Sequence, residues 1–283
     1  MRESPPEEPP TTIRFMQTHE FAAMLDHDDA HWWYRGRRRV LRAQLDRLVL
    51  PADPLILDAG CGSGRTLDEL CAYGTVAGAD LSEEAVAAAR ARGHHAVVLA
   101  PVEALPFADG AFDLVTCLDV IEHTADDGAA LAELLRVTDS GGYVIVTVPA
   151  HQALWSNHDV VNQHYRRYSR DALRAAARAA GFEVVEETGF NLAPLAPAAI
   201  VRAIQNRRPT PPSTSDLELT PRWADRYLEV PIAAEAWWMR RGGRVPTGLS
   251  RLAVLRRPSV SASVAARRPA NDVIRRQALS AVG

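Results

Sequence analysis

Short apolar runs alternate with segments of mixed apolar and polar residues through the middle of this chain. Strongly apolar runs bounded by turn residues are typical of buried strands. The segments between them carry helix-forming residues, and strands that alternate with helices favour a parallel sheet covered on both faces. Six such runs predict six strands, near residues 54–57, 75–80, 97–99, 112–118, 141–148 and 182–188. Gly248 to Leu255 reads as a last strand, which predicts an α/β fold with a doubly wound sheet.

The same pattern divides the chain into segments. Residues 1–17 are rich in Pro and Glu and are expected to be disordered, and 18–50 form an N-terminal helical lid. Residues 51–190 form the core, 191–247 an insertion with two helices, 248–256 the final strand and 257–283 a loosely ordered tail. The insertion is longer than an ordinary connection. A cap over an apolar acceptor is favoured for it, before a dimer surface and a membrane contact.

A glycine-rich turn follows the first predicted strand and opens a helix. Asp58, Gly60, Gly62 and Gly64 lie in the run Leu-Asp-Ala-Gly-Cys-Gly-Ser-Gly-Arg. Glycines let the backbone bend tightly and approach a ligand where a Cβ would collide. The second strand ends in Asp80, which lies 20 residues after Gly60, where a doubly wound fold presents a carboxylate to ribose hydroxyls. The spacing G-x-G-x-G differs from the dinucleotide pattern G-x-G-x-x-G.

Together with the Ala-Leu-Pro-Phe block near Leu105 and the Asp-x-x-Glu-His block ending at His123, this turn resembles the class I S-adenosylmethionine (SAM)-dependent methyltransferases. The resemblance implies their seven-stranded, mainly parallel sheet, with the last strand inserted antiparallel beside the fifth. It implies SAM as cofactor, with Asp58, Gly60, Gly62, Gly64, Asp80, Leu81, Val102, Leu118 and Asp119 around it. One departure is Pro101, where the family often has an acid that binds the adenine amino group.

The loop after the fifth predicted strand carries the candidate chemistry for an acceptor molecule. Ligands of open α/β sheets bind outside the carboxyl ends of the strands. His123, His151, His158 and His164 are expected to converge there, and histidine is well suited to take a proton near neutral pH. We expect His158, His164 or His123 to be the general base. A structural role, with main-chain hydrogen bonds, is the alternative for each of them.

Aromatic residues complete the predicted acceptor site. Trp155 and Tyr168 belong to the histidine-rich loop, and Trp33 and Tyr34 belong to the N-terminal lid. Arg37 or Arg35 is expected to pair with the methionine carboxylate of SAM. An equally good interpretation is that the N-terminal helix packs on the edge of the sheet and that its aromatic residues belong to a core.

The composition of the chain indicates which partners and which cellular compartment to expect. The chain has 283 residues, a net charge of −3 and three cysteines without framework spacing. The charge gives no reason to expect nucleic acid as a partner, and reduced thiols fit a cytoplasmic protein. No signal peptide or membrane-spanning run is seen. A bacterial, monomeric or homodimeric enzyme of small-molecule biosynthesis is expected, acting on an O, N or C atom of a partly apolar metabolite.

Other functions stay open at this stage. Asp119, Glu122 and His123 resemble a metal-binding cluster of some quinone O-methyltransferases, but three ligands are few for a hard cation. We therefore expect no metal. A non-catalytic partner subunit and an NAD(P)-binding oxidoreductase are the remaining alternatives, the second being disfavoured by the glycine spacing.

Overall fold

A computed structural model of the chain describes residues 31–205 and 222–259. The predicted disordered N-terminus, the loose stretch within the insertion and nearly all of the C-terminal tail lie outside these residues. The strands are β1 (Leu55–Ala59), β2 (Thr75–Asp80), β3 (Val97–Leu99), β4 (Phe112–Leu118), β5 (Thr138–Pro149), β6 (Glu183–Phe190) and β7 (Ser250–Arg256). The helices are α1 (Trp32–Leu45), α2 (Arg65–Leu70), α3 (Glu83–Ala91), α4 (Asp127–Val137), α5 (Asn157–Val161), α6 (Arg170–Ala179), α7 (Leu195–Gln205) and α8 (Arg222–Arg240).

The seven strands form one sheet in the order β3-β2-β1-β4-β5-β7-β6. β1 pairs in parallel with β2 and with β4, so that Ile56 lies opposite both Val76 and Leu114. β7 is antiparallel to β5 and to β6, with Val146 opposite Ala253. This confirms the predicted fold class, including the last strand beside the fifth.

Two apolar layers cover the sheet. One contains Leu131 and Leu134 of α4 and Leu173 of α6. The other contains Leu41 of α1, Leu67 of α2 and Ile232 of α8. The apolar strands are buried because both faces are covered, which explains why β1 is apolar at four of its five positions with every residue buried.

Polar residues fix where the core helices begin. The side chains of Ser82, Asp126 and Ser169 each accept a hydrogen bond from a main-chain N–H in the first turn of α3, α4 and α6. Such caps satisfy donors that a helix leaves unpaired at its start. The segment between β5 and α6, expected as a loop, contains a short 3₁₀ turn (Gln152–Leu154) and α5.

Candidate active site

The glycine turn connects β1 to α2 at the edge of the sheet where the parallel strands have their carboxyl ends. Gly60, Gly62 and Gly64 have φ angles of 81°, 53° and 80°, a region that other residues adopt at a cost. The N–H groups of Gly60 and Cys61 donate to the carbonyl of Ala79 on β2, at 2.8 and 3.0 Å. A Cβ on Gly60 would lie 2.3 Å from Cγ2 of Val120. The turn is therefore held between β2 and the segment that follows β4.

Asp80 ends β2 beside this turn. Its Oδ2 accepts a hydrogen bond from the N–H of Gly62 at 2.8 Å, and its Oδ1 accepts one from the N–H of Ser82 at 2.9 Å. Burial raises the pKa of this carboxyl, and the main-chain donors oppose the rise. A carboxylate oxygen can accept a second hydrogen bond. Asp80 thus shapes the turn and keeps lone pairs that can accept further hydrogen bonds.

The other predicted residues of this half lie around the turn. Asp58 is buried, and the hydroxyl of Thr116 on β4 donates to its Oδ1 at 2.6 Å. Val102 is buried and Leu81 is half-buried. Asp58 therefore connects β1 to β4 at the point where the turn begins.

Arg37 of α1 lies across the end of β4. Its Nη1 donates to Oδ2 of Asp119 at 2.9 Å and to the carbonyl of Leu118 at 3.3 Å. The same Asp119 oxygen accepts from the hydroxyl of Thr147 on β5 at 3.0 Å. Trp33 and Tyr34 lie beside the guanidinium, which is 5.0 and 5.5 Å from their ring centroids. The structure thus pairs Arg37 with Asp119, and the lid residues meet at this point.

Three histidines come together next to this segment. The ring centroids of His123 and His164 are 4.6 Å apart, and those of His158 and His164 are 5.9 Å apart. Burial, followed by the nearby His164, lowers the pKa of His123 to about 3, so its imidazole is neutral at physiological pH. His151 does not join them, because its Nε2 lies 2.7 Å from the hydroxyl of Thr247.

The carboxylate of Asp159 contacts this group of histidines. It pairs with His164, five residues further along the chain. Its Oδ1 lies 2.8 Å from Nδ1 of His164 and accepts from Nε of Arg167 at 2.7 Å. The side chain of His158 contacts the amide of Asn162. Asp159 follows His158 directly in the sequence, but the direction of its side chain from α5 cannot be read from that adjacency.

Glu122 faces the same histidines. It is buried, and within the described part of the chain its Oε2 has no hydrogen-bond partner. Burial and the charge of Asp119 raise its pKa well above the usual range. One ligand atom each of Glu122, His123 and His164 lie within 4.8 Å of one another, a grouping that can hold a metal ion.

The two aromatic residues predicted in this loop differ in placement. Trp155 is half-buried at the end of the 3₁₀ turn. Tyr168 is buried in the core beside β5, and its hydroxyl donates to Oδ2 of Asp127 at 2.6 Å. Tyr168 therefore contributes to packing, and we do not retain it as an acceptor-binding residue.

Comparison with known proteins agrees with this arrangement. Residues 57–146 match the model of a family described as "Methyltransferase domain". The ubiquinone biosynthesis O-methyltransferase of Thiobacillus denitrificans is 31% identical over 160 residues, which cover 50% of this chain and 69% of that protein. The chain belongs to the class I SAM-dependent methyltransferases.

Solved structures of other proteins are also similar to this chain. A chain of the Haloferax volcanii complex between the Trm112 methyltransferase activator and its methyltransferase partner superposes with a TM-score of 0.55 at 22% identity, over 85% of this chain and 95% of that one. Phosphoethanolamine N-methyltransferase 2 of Haemonchus contortus, solved with SAM, gives 0.52 at 18% identity, over 78% of this chain and 52% of that one. These similarities show a shared fold.

The residues of this methyltransferase fit SAM. Positive-φ glycines leave the main chain open at the turn, and Asp80 presents carboxylate oxygens beside it. Sequence reasoning missed Thr116 and Thr147, which hold acidic side chains of the site. No local signal marks them, since a Thr within a strand is common in any core. Arg167 pairs with Asp159, in line with the interpretation of the loop arginines as partners of acidic residues.

Proposed function

We propose that this methyltransferase transfers the methyl group of SAM to an O, N or C atom of a small, partly apolar metabolite. The glycine turn, Asp80, Leu81 and Val102 would hold the adenosine, and Leu118, Asp119 and Arg37 would border its methionine end. SAM supplies an electrophilic methyl on a sulfonium. The protein holds the acceptor in line with that methyl and excludes water, which can remove a large part of the barrier.

The observation that carries this proposal is the position of the histidine group. His123, His158 and His164 lie in the segments that follow β4 and β5, and Val120 of the first segment packs on the glycine turn. A hydroxyl or amine placed between the turn and the histidines can lose its proton to an imidazole as it is methylated. Trp33, Tyr34 and Trp155 would form the walls of the acceptor site.

Two experiments test cofactor and acceptor separately. Calorimetry is expected to show binding of SAM and of S-adenosylhomocysteine, and no binding of NAD. Binding of NAD without SAM would instead support a nicotinamide-dependent oxidoreductase. Candidate acceptors, starting with phenols of the kind that the ubiquinone relative suggests, are then screened with SAM for a mass gain of one methyl group. A protein that binds SAM and methylates no acceptor would support a non-catalytic partner subunit.

A metal-assisted O-methyltransferase acting on a quinone- or phenol-type acceptor is the second candidate. The grouping of Glu122, His123 and His164 favours it, because two imidazoles and a carboxylate are a common catalytic ligand set for zinc. Proximity with a histidine base predicts that turnover survives exhaustive chelation. Loss of turnover with EDTA, restored by magnesium or zinc, would favour the metal.

The segments outside the core are proposed to cover the acceptor. α1 would act as a lid, and residues 191–247 as a cap. Nη1 of Arg202 in α7 donates to the carbonyl of Leu154 at 3.1 Å, which ties the insertion to the histidine-bearing loop.

Trp237 and Trp238 are exposed on α8, and the guanidinium of Arg241 lies 3.8 Å from the centre of the Trp237 ring. Among the described residues, no helix is long and apolar enough to cross a membrane.

A further inference from the structure

The carboxylate of Asp159 has an unusually complete set of donors. The residue is fully buried, and its Oδ1 meets Nδ1 of His164 at 2.8 Å and Nε of Arg167 at 2.7 Å. Its Oδ2 accepts from the N–H of Ser156 at 2.8 Å. Burial alone would raise the pKa of Asp159, but the hydrogen bond from His164 and the charge of Arg167 hold it below its usual range. An ionised carboxylate only accepts hydrogen bonds, so Nδ1 of His164 carries the proton.

The fold fixes this carboxylate from two sides. Asp159 closes a capping box with Ser156 at the start of α5. Arg167 comes from the other end of the loop, where its Nη1 donates to the carbonyl of Ala150 at 3.1 Å and its N–H donates to Oε1 of Gln152 at 3.0 Å. The Asp159 side chain therefore cannot turn without leaving a buried donor unpaired, which is unfavourable.

We propose that Asp159, held by Arg167, is the positioning residue that fixes His164 with Nδ1 protonated and Nε2 free to accept the acceptor's proton. This proposal rests on the proposed function. Nε2 is the ring nitrogen that remains for the groups facing it, which are Glu122, His123 and His158. Because Arg167 and His164 share the same oxygen of Asp159, the carboxylate fixes the tautomer and the ring orientation of His164.

With a hydroxyl acceptor, the acceptor's proton moves to His164 and the methyl group moves to the acceptor's oxygen. The O–H bond breaks as its proton moves to Nε2 of His164, and an oxygen lone pair forms the new bond to the methyl carbon of SAM. The carbon–sulfur bond breaks with its electron pair left on sulfur, which gives the thioether S-adenosylhomocysteine. The imidazolium formed on His164 lies against the Asp159 carboxylate, and it returns its proton to solvent after the product leaves.

The first measurement reads the tautomer without any acceptor. Nitrogen-15 NMR of histidine-labelled protein with S-adenosylhomocysteine and EDTA is expected to show His164 as the Nδ1–H tautomer, the signal being assigned with His164→Gln. Asp159→Asn places an NH₂ group against Nδ1–H or against the N–H of Ser156, so a shift toward the Nε2–H tautomer is expected. Asp159→Glu keeps the charge and should retain more of the original tautomer. Asp126→Asn, which makes the same change at the cap of α4, is the matched control.

The second measurement separates positioning from folding. With a hydroxyl acceptor found in the screen, Asp159→Asn is expected to lower kcat about a hundredfold, within the range of general base catalysis, and to change KM and the Kd for SAM little. Asp159→Glu should recover part of kcat. An Nε2–H tautomer in the unmodified protein, full kcat in Asp159→Asn, or a turnover that EDTA abolishes would overturn the proposal. If the tautomers behave as expected and no acceptor is methylated, the proposed function fails and the positioning of His164 stands.

Discussion

At the scale of single residues, Gly62 joins backbone geometry to cofactor recognition. Its φ of 53° and its N–H donated to Asp80 keep the turn closed against β2. A β-branched side chain at this φ costs of the order of 1–3 kcal/mol, and it would take up space in the turn where we propose that SAM binds. The residue therefore contributes by having no side chain.

We expect Gly62→Val to abolish SAM binding, measured by calorimetry, while far-UV circular dichroism stays close to that of the unmodified protein. Ala87→Val, which adds two carbons rather than three on the exposed side of α3, is the control and should bind SAM normally. An unchanged affinity in Gly62→Val would remove the glycine turn from the cofactor site.

The histidines can be tested in the same way. His158→Ala or His164→Ala, whichever removes the base, is expected to lower turnover about a hundredfold or more, because a lost base slows proton removal by that order. SAM affinity should change little, since neither residue belongs to the glycine turn or to Asp80. His151→Ala is the control, because its ring contacts Thr247 away from the group. Normal turnover in both variants would make these histidines structural.

Thiol reactivity gives a pH-dependent prediction for three further residues. Burial raises the pKa of Cys61 and of Cys117 well above the usual range, and Asp80 adds to the rise at Cys61. Cys71 is exposed, and its pKa is raised by desolvation and by Asp68. Since only the thiolate reacts, alkylation should increase with pH and label Cys71 first. Mass spectrometry of native protein at pH 8 measures this, and protein unfolded in guanidinium should react at all three sites. Equal labelling of Cys61 and Cys71 would contradict the burial.

At the scale of elements, the packing of α1 on α8 fixes the lid. Ile232 of α8 is buried among residues of α1, and a Cβ on Gly36 would lie 2.2 Å from its Cδ1. An ion pair between Arg35 and Glu229 crosses the same helix pair. The two helices approach closely because Gly36 has no side chain, and this brings Arg37 to Asp119.

We expect Ile232→Ala to lower the free energy of unfolding by about 2–5 kcal/mol, the usual cost of a cavity of this size. Val230→Ala on the same helix, where the side chain is 68% exposed, should change it by less than about 0.5 kcal/mol. Chemical denaturation measures both. Equal effects of the two substitutions would mean that α8 does not pack on α1 in solution.

At the scale of the whole molecule, local patterns predicted the sheet and the glycine turn with Asp80 beside it. Apolar runs and glycine spacing are read within one segment, so β1, the turn and Asp80 followed from the sequence. The pairing of Asp159 with His164 and of Arg37 with Asp119 did not, because each depends on the direction of side chains from separate elements. Tyr168 was misplaced for the same reason, since a loop tyrosine beside β5 can face the core or the acceptor site.

The position of β7 between β5 and β6 also affects how this chain is made. β6 ends at Phe190 and β7 begins at Ser250, so β6 cannot pair with β7, its one partner strand within the described residues, until the whole insertion has been synthesised. At about 5–20 residues per second, the ribosome needs roughly 3–12 s for that stretch. During this interval the edges of β5 and β6 stay unpaired, and open strand edges can pair with other chains. A nascent chain paused within the insertion should therefore need chaperone protection, which a completed chain would not.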